Sequence, residues 1–189
     1  MNILEERIQK EGKILANNIV KVGSFLNHQI DVDLMKELAD LYYEHFKDKK
    51  IDKILTIEAS GIALAFACAL KFDVPLMFAK KAKSLNLEDV YHAEVFSYTY
   101  QQEYTITLAK EYCNPHDHIL IIDDFLAEGN ATRGLIDIVN QANMEVAGIG
   151  IAIEKGFQGG GDSLRKDGYD LLSIAIIDRF EDDKLIFRK

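Results

Sequence analysis

With 189 residues, 48% hydrophobic and 28% charged, two prolines, twelve glycines and no low-complexity tract or long repeat, the chain is expected to form a single domain spanning 1–189. A formal charge of −9, with no Lys/Arg block long enough for a nucleic-acid arm, argues by Coulomb repulsion against an extended nucleic-acid surface and leaves room for a local cationic pocket. Charges within the first ten residues exclude a secretory leader, and no apolar run approaches the roughly 18 residues that span a bilayer. A soluble, cytoplasmic protein is expected.

The first periodic segment predicts a helix over 2–16, with Ile3, Leu4, Ile8 and Leu15 on one side. The stretch N-I-V-K-V-G-S-F-L-N-H-Q-I that follows is too irregular for a plain helix. Asp31 is placed to cap the next one, where Leu34, Leu38, Leu41 and His45 recur with Met35, Tyr42 and Phe46 beside them. From Lys53 the register changes. I-L-T-I-E reads as a buried strand, G-I-A-L-A-F-A-C-A-L-K as a small-residue helix in which Cys68 is a structural thiol, and V-P-L-M-F-A as a second strand. Residues 94–109 carry two β-rich runs around Q-Q, an antiparallel pair. Then come the strand H-I-L-I-I-D-D, the helix T-R-G-L-I-D-I-V-N-Q-A, and the strands E-V-A-G-I-G-I-A-I-E-K and L-L-S-I-A-I-I-D. Apolar strands alternating with helices predict an α/β fold, a mainly parallel twisted sheet covered on both faces. Ligands of such sheets sit beyond the carboxyl ends of the strands.

Four of those ends carry chemistry. In I-L-I-I-D-D-F-L-A-E-G-N-A-T an apolar strand stops at Asp123 and Asp124, and a small loop opens a helix. Backbone N–H groups at a helix start bind phosphate. Gly129 permits close approach, Ala127 and Ala131 keep the rim small, Glu128 serves through its backbone with its side chain pointing away, Asn130 completes the loop, and Thr132 adds a hydroxyl. The two aspartates suit ribose hydroxyls, directly or through Mg²⁺. After the first core strand, Glu58, Ala59, Ser60 and Gly61 form a short turn that reads either as an anion loop or as a helix start capped by Ser60. Lys80, Lys81 and Lys83 are the densest positive charge in an acidic chain, either a solvated run or a site for anions. Lys155 ends a buried strand, where its ammonium either snorkels or donates to a ligand oxygen.

These segments, in this order, resemble the type I purine phosphoribosyltransferases. The 119–132 run is similar to that family's phosphoribosyl-pyrophosphate (PRPP) motif, although many members carry Thr-Gly-Gly-Thr where this chain has Glu128-Gly129-Asn130-Ala131. The strings V-G-S-F-L-N-H-Q-I-D, I-E-A-S-G-I-A, F-A-K-K-A-K-S-L and I-G-I-A-I-E-K-G-F-Q resemble the bacterial xanthine-specific branch over nearly the whole length.

The resemblance implies transfer of a phosphoribosyl group from PRPP to xanthine, giving XMP and pyrophosphate, in a homodimer that takes up Mg²⁺ with PRPP and uses no organic cofactor. By it Asp123 and Asp124 are catalytic and residues 127–132 bind PRPP. Residues 58–61 with Lys80, Lys81 and Lys83 hold pyrophosphate. Val20 (where Leu is usual) and Asn27 lie over the base, and Lys155 reads its O6. It also implies a hood over about 1–36, a core over about 37–180, and closure of 84–104 with Tyr98 or Tyr100. Guanine and hypoxanthine share O6 with xanthine and stay open as substrates. A nucleotide-sensing regulator on the same fold stays open as well.

Overall fold

The computed structural model describes residues 1–15, 19–81, 89–97, 102–181 and 184–189. In chain order these form α1 (Ile3–Glu11), β1 (Lys13–Leu15), β2 (Ile19–Lys21), a π-helical turn (Gly23–Asn27), α2 (Val32–Phe46), β3 (Lys53–Ile57), α3 (Gly61–Phe72) and β4 (Leu76–Lys81). The second half holds β5 (Val90–Ser97), β6 (Gln102–Ala109), β7 (His118–Leu126), α4 (Asn130–Gln141), β8 (Glu145–Lys155), α5 (Gly160–Lys166), β9 (Leu171–Glu181) and β10 (Lys184–Phe187).

Eight strands make one sheet in the order β10-β9-β8-β7-β3-β4-β6-β5. The central pairs, from β9 through β8, β7 and β3 to β4, are parallel. Antiparallel partners close both edges, β10 on β9 and the β5–β6 hairpin on β4. The expected α/β architecture is therefore present, with the hairpin beginning at Val90, four residues earlier than its composition suggested.

Period-2 alternation in β7 divides the core. Leu120 and Ile122 join an apolar cluster with α1, the π-helical turn, α2 and α3. Ile119 and Ile121 join a second cluster with α4 and the hairpin. Each such side chain contributes about 1.5–3 kcal/mol by leaving water, so a one-residue slip of β7 would be very costly.

Two helices depart from the expected pattern. Asn2 caps α1 in a reciprocal box with Glu5, and its Nδ2 also donates to the Ile174 carbonyl of β9 at 2.6 Å. The helix stops at Glu11 and does not continue to 16. Gly12 turns extended while its N–H still bonds Ile8 O at 2.8 Å, an approach that leaves no room for a side chain. Residues 13–15 then pair with 19–21 as a small antiparallel ladder. In α2, Asp31 caps as expected, accepting from the N–H groups of Asp33 and Leu34. Its buried face is Leu34, Met35, Leu38, Ala39, Tyr42 and Phe46, however, with Leu41 turned out and His45 paired with Asp170 at 2.9 Å. Glycines on β8 explain that rotation. The rings of Phe46 and Tyr42 fill the positions where a Cβ of Gly148 or Gly150 would stand.

Candidate active site

The carboxyl ends of β3, β4, β7 and β8 converge as the parallel order requires. β7 does not stop at its acidic pair. It pairs with β8 through Leu126, so Asp123 and Asp124 lie within the strand, three and two residues before its end, and each is only 5% exposed. Asp123 Oδ1 accepts from the Asp124 N–H at 2.9 Å. Burial, reinforced by the neighbouring Asp124, pushes the Asp123 carboxyl well above the usual carboxylate range, with the Lys81 ammonium opposing the shift. Asp124 accepts from two directions: Ser60 Oγ donates to Oδ1 at 2.9 Å and Asn27 Nδ2 to Oδ2 at 3.3 Å.

Ser60 stands at the N-cap position of α3, yet its hydroxyl makes no capping bond; it is spent on Asp124. Of the first-turn N–H groups of α3, which no helix satisfies internally, that of Ile62 reaches Ala59 O at 3.3 Å, and none is capped by the Ser60 hydroxyl. Gly61 is required here by proximity: a Cβ would collide with Thr56 Oγ1 and lie 2.6 Å from Asp123 Oδ1. Glu58 Oε1 accepts the Lys81 N–H at 2.7 Å and its own N–H reaches Ala79 O at 3.0 Å, so this side chain staples β3 to β4.

Strand alternation separates the two described lysines of β4. Lys81 Nζ lies 5.1 Å from the centre of the Tyr104 ring, on the side of Asp123, while Lys80 Nζ lies 5.9 Å from the Phe78 ring on the opposite face. Lys83, Tyr98 and Tyr100 lie outside the described residues, as do 84–88 and 98–101 of the expected closing segment.

Gly129 has φ +90° and ψ 5°, a left-handed conformation that directs residues 127–131 around the start of α4. Asn130 Nδ2 donates to Phe96 O at 3.2 Å and ties this loop to the hairpin. Residues 127–132 line a cavity of about 170 Å³ together with Tyr104, Phe125, Lys155 and Gln158. Lys155, half-buried at the end of β8, has its ammonium shifted below the ordinary lysine value by desolvation. A cavity walled by a helix start and one ammonium suits an anion joined to a group with an acceptor oxygen. Asn27 ends the π-helical turn above the aspartates, whereas Val20 is 7% exposed and packs in the cluster with Phe25 and Leu26.

A model of the phosphoribosyl transferase domain matches residues 21–183, which includes every described site element except Val20. The chain belongs to that family. It is 55% identical over 188 residues to the xanthine phosphoribosyltransferase of Finegoldia magna, covering 99% of both chains. It is 53% identical over the full length of both to the enzyme of that name from Bifidobacterium longum. Among solved structures it resembles the APRTase of Giardia lamblia complexed with 9-deazaadenine, with a TM-score of 0.76 at 22% identity, over 93% of this chain and 98% of that one. The adenine phosphoribosyltransferase of Rhodothermus marinus gives 0.75 at 20% identity, over 92% and 98%. The fold is that of the type I phosphoribosyltransferases.

Two structural features around the phosphoribosyltransferase site were not anticipated from sequence. Gly160 lies against it so closely that a Cβ would stand 2.7 Å from Gly129 N, and the run Gly159-Gly160-Gly161 was the available signal. Glu154, fully buried beside Lys155, is held by both guanidinium nitrogens of Arg165 at 3.0 and 2.7 Å and by the Ser173 hydroxyl. Arg165→Ala should lower stability by about 3 kcal/mol, because it strands a buried carboxylate. A urea midpoint equal to that of the unmodified chain would show that Glu154 does not depend on Arg165.

Proposed function

We propose that this chain transfers the 5-phosphoribosyl group of PRPP to xanthine, releasing pyrophosphate and XMP, in purine salvage. One observation carries the reading: Lys155, a donor suited to a purine O6, lines the same small cavity as the whole 127–132 loop. The base and the 5′-phosphate of one nucleotide would then be gripped from adjacent strand ends. Similarity to enzymes named for xanthine supports the choice of base.

In the reaction the imidazole nitrogen of the base bonds to the anomeric carbon, the bond to pyrophosphate breaks with its electron pair leaving on that group, and the base gives up its proton. The chain's work is positioning and electrostatics. Residues 127–131 hold the 5′-phosphate through backbone N–H groups, with Thr132 at the rim. Asp123 and Asp124 orient the ribose hydroxyls, the part of the 58–61 turn beyond Glu58 offers N–H groups to pyrophosphate, and Lys81 supplies charge beside it. Lys80 faces the other side of β4 and would act on a ligand only from outside this cleft.

Among the described residues no three His, Cys, Asp or Glu side chains gather as a metal site. The two adjacent carboxylates instead fit Mg²⁺ brought in on the substrate diphosphate, since that ion takes one or two carboxylates plus phosphate oxygens. When bound, the ion would spread the charge of the leaving group.

We take the whole chain as one catalytic unit, with residues 1–36 as a hood tied down by the Asn2–Ile174 bond. Among the described residues no helix is long and apolar enough to cross a membrane, in keeping with action in the cytoplasm. The homodimer belongs to the same reading; Val32, Phe66 and Leu70, exposed along α2 and α3, offer it an apolar face.

Pyrophosphate release from PRPP and Mg²⁺ with xanthine, guanine, hypoxanthine or adenine tests the reading directly. Xanthine should be fastest, and release with none of the four would reject enzymatic salvage in favour of a nucleotide sensor. Lys155→Ala should lower kcat/KM roughly ten- to a hundredfold for every 6-oxopurine, the worth of a charge-assisted hydrogen bond. Equal rates for Lys155→Ala and the unmodified chain would remove Lys155 from the base site.

A further inference from the structure

We propose that Asp124, beyond its place at the ribose, sets the choice of base by holding the Asn27 amide in one orientation. The inference rests on the reading above, in which Asn27 faces C2 of the purine. A primary amide presents a donor on one side and an acceptor on the other, and a half-turn of its plane exchanges them. Xanthine carries an acceptor oxygen at C2 and guanine a donor amine, so an amide free to turn would serve both bases. Selectivity requires something that prevents the turn.

Asp124 does this. An ionised carboxylate only accepts hydrogen bonds. With Asp124 Oδ2 3.3 Å from Asn27 Nδ2, a turned amide would set two oxygens face to face at that distance. The carboxylate is itself anchored, because Ser60 Oγ donates to its other oxygen at 2.9 Å. The backbone beneath Asn27 is also held. Phe25 and Leu26 in the π-helical turn are buried, and the turn is closed by bonds from Gln29 N to Gly23 O at 2.8 Å and from Asp31 N to Phe25 O at 3.0 Å. Among the described residues Asp124 is the one side chain hydrogen-bonded to the Asn27 amide. The second N–H of that amide is thus left as a donor, which matches the C2 oxygen of xanthine and opposes the amine of guanine. Ser60, Asp124 and Asn27, from three distant stretches of chain, form one relay from the pyrophosphate turn through the ribose carboxylate to the base reader.

The test is a double-mutant cycle read as the ratio of XMP to GMP affinity, measured by calorimetry. Both nucleotides carry the same ribose phosphate, so any loss of Asp124 at the ribose cancels in the ratio. Asp124→Asn should reduce the preference for XMP about tenfold, because an amide at 124 accepts or donates and no longer dictates how Asn27 turns. Asn27→Ala should reduce it by a similar factor, and adding Asp124→Asn to Asn27→Ala should change it no further. If Asp124→Asn binds neither nucleotide measurably, Ser60→Ala provides the reading: it frees the carboxylate to swing and should lower the ratio in the same direction by less. An unchanged ratio in Asp124→Asn while Asn27→Ala lowers it overturns the proposal. So does an equal shift from Asp124→Asn with and without Asn27. An Asn27→Ala ratio equal to that of the unmodified chain overturns the placement of the base itself, a failure that the four-purine assay detects separately.

Discussion

Asp124→Asn should lower kcat/KM with PRPP about a thousandfold while the chain stays folded. The substitution keeps the shape of a side chain that is 5% exposed but removes the charge that would orient ribose hydroxyls and a phosphate-borne Mg²⁺. The fold should survive, because the two donors that meet Asp124 can both adapt. The Ser60 hydroxyl rotates and the Asn27 amide can turn, so neither is left without a partner. Asp123→Asn should cost less. Burial and the neighbouring carboxylate already favour the neutral form of Asp123, and an amide still offers an oxygen to the Asp124 N–H. Steady-state pyrophosphate release with thermal unfolding alongside checks both variants. Wild-type turnover in Asp124→Asn would take this carboxylate out of the reaction.

Gly129→Val should weaken PRPP binding by roughly a thousandfold, comparable to losing a preorganised donor at a developing charge. The cause is the backbone and not crowding. The nearest atom to a Cβ at 129 is Gly160 Cα at an ordinary 3.6 Å, but φ is +90°, where a β-branched residue is strongly disfavoured. The chain would leave that conformation, and the N–H groups of the loop would no longer point into the cavity. Gly129→Ala, with a smaller penalty in left-handed space, should retain more affinity. Calorimetric titration with Mg²⁺-PRPP measures this, and unchanged binding by Gly129→Val would move the phosphate site away from 127–131.

Most of the sheet and the glycine loop before α4 were legible in the sequence because their signals are local. The strands β3, β7, β8 and β9 are each built around a mainly apolar run, the Asp31 cap precedes its helix directly, and Gly129 follows such a strand with a helical period behind it. Lys80 and Lys81 were grouped as one positive patch although adjacent strand residues point to opposite faces, so that separation was readable and was overlooked.

What stayed hidden depends on residues far apart in the chain. The face that α2 buries follows from Gly148 and Gly150, about a hundred residues on, which make room for Phe46 and Tyr42. Glu154 looked like one more residue of an apolar strand, and only the return of α5 and β9 supplies Arg165 and Ser173 to neutralise it. The sequence by itself determined the α/β order, where the strands end and the glycine turn that opens α4, since period, cap and glycine placement act over a few residues. Only the tertiary structure decided that Ser60 leaves its own helix uncapped to reach Asp124 and that Asn27 meets the same carboxylate across 97 positions, because a hydrogen bond at such separation exists only once the sheet has brought its strand ends together.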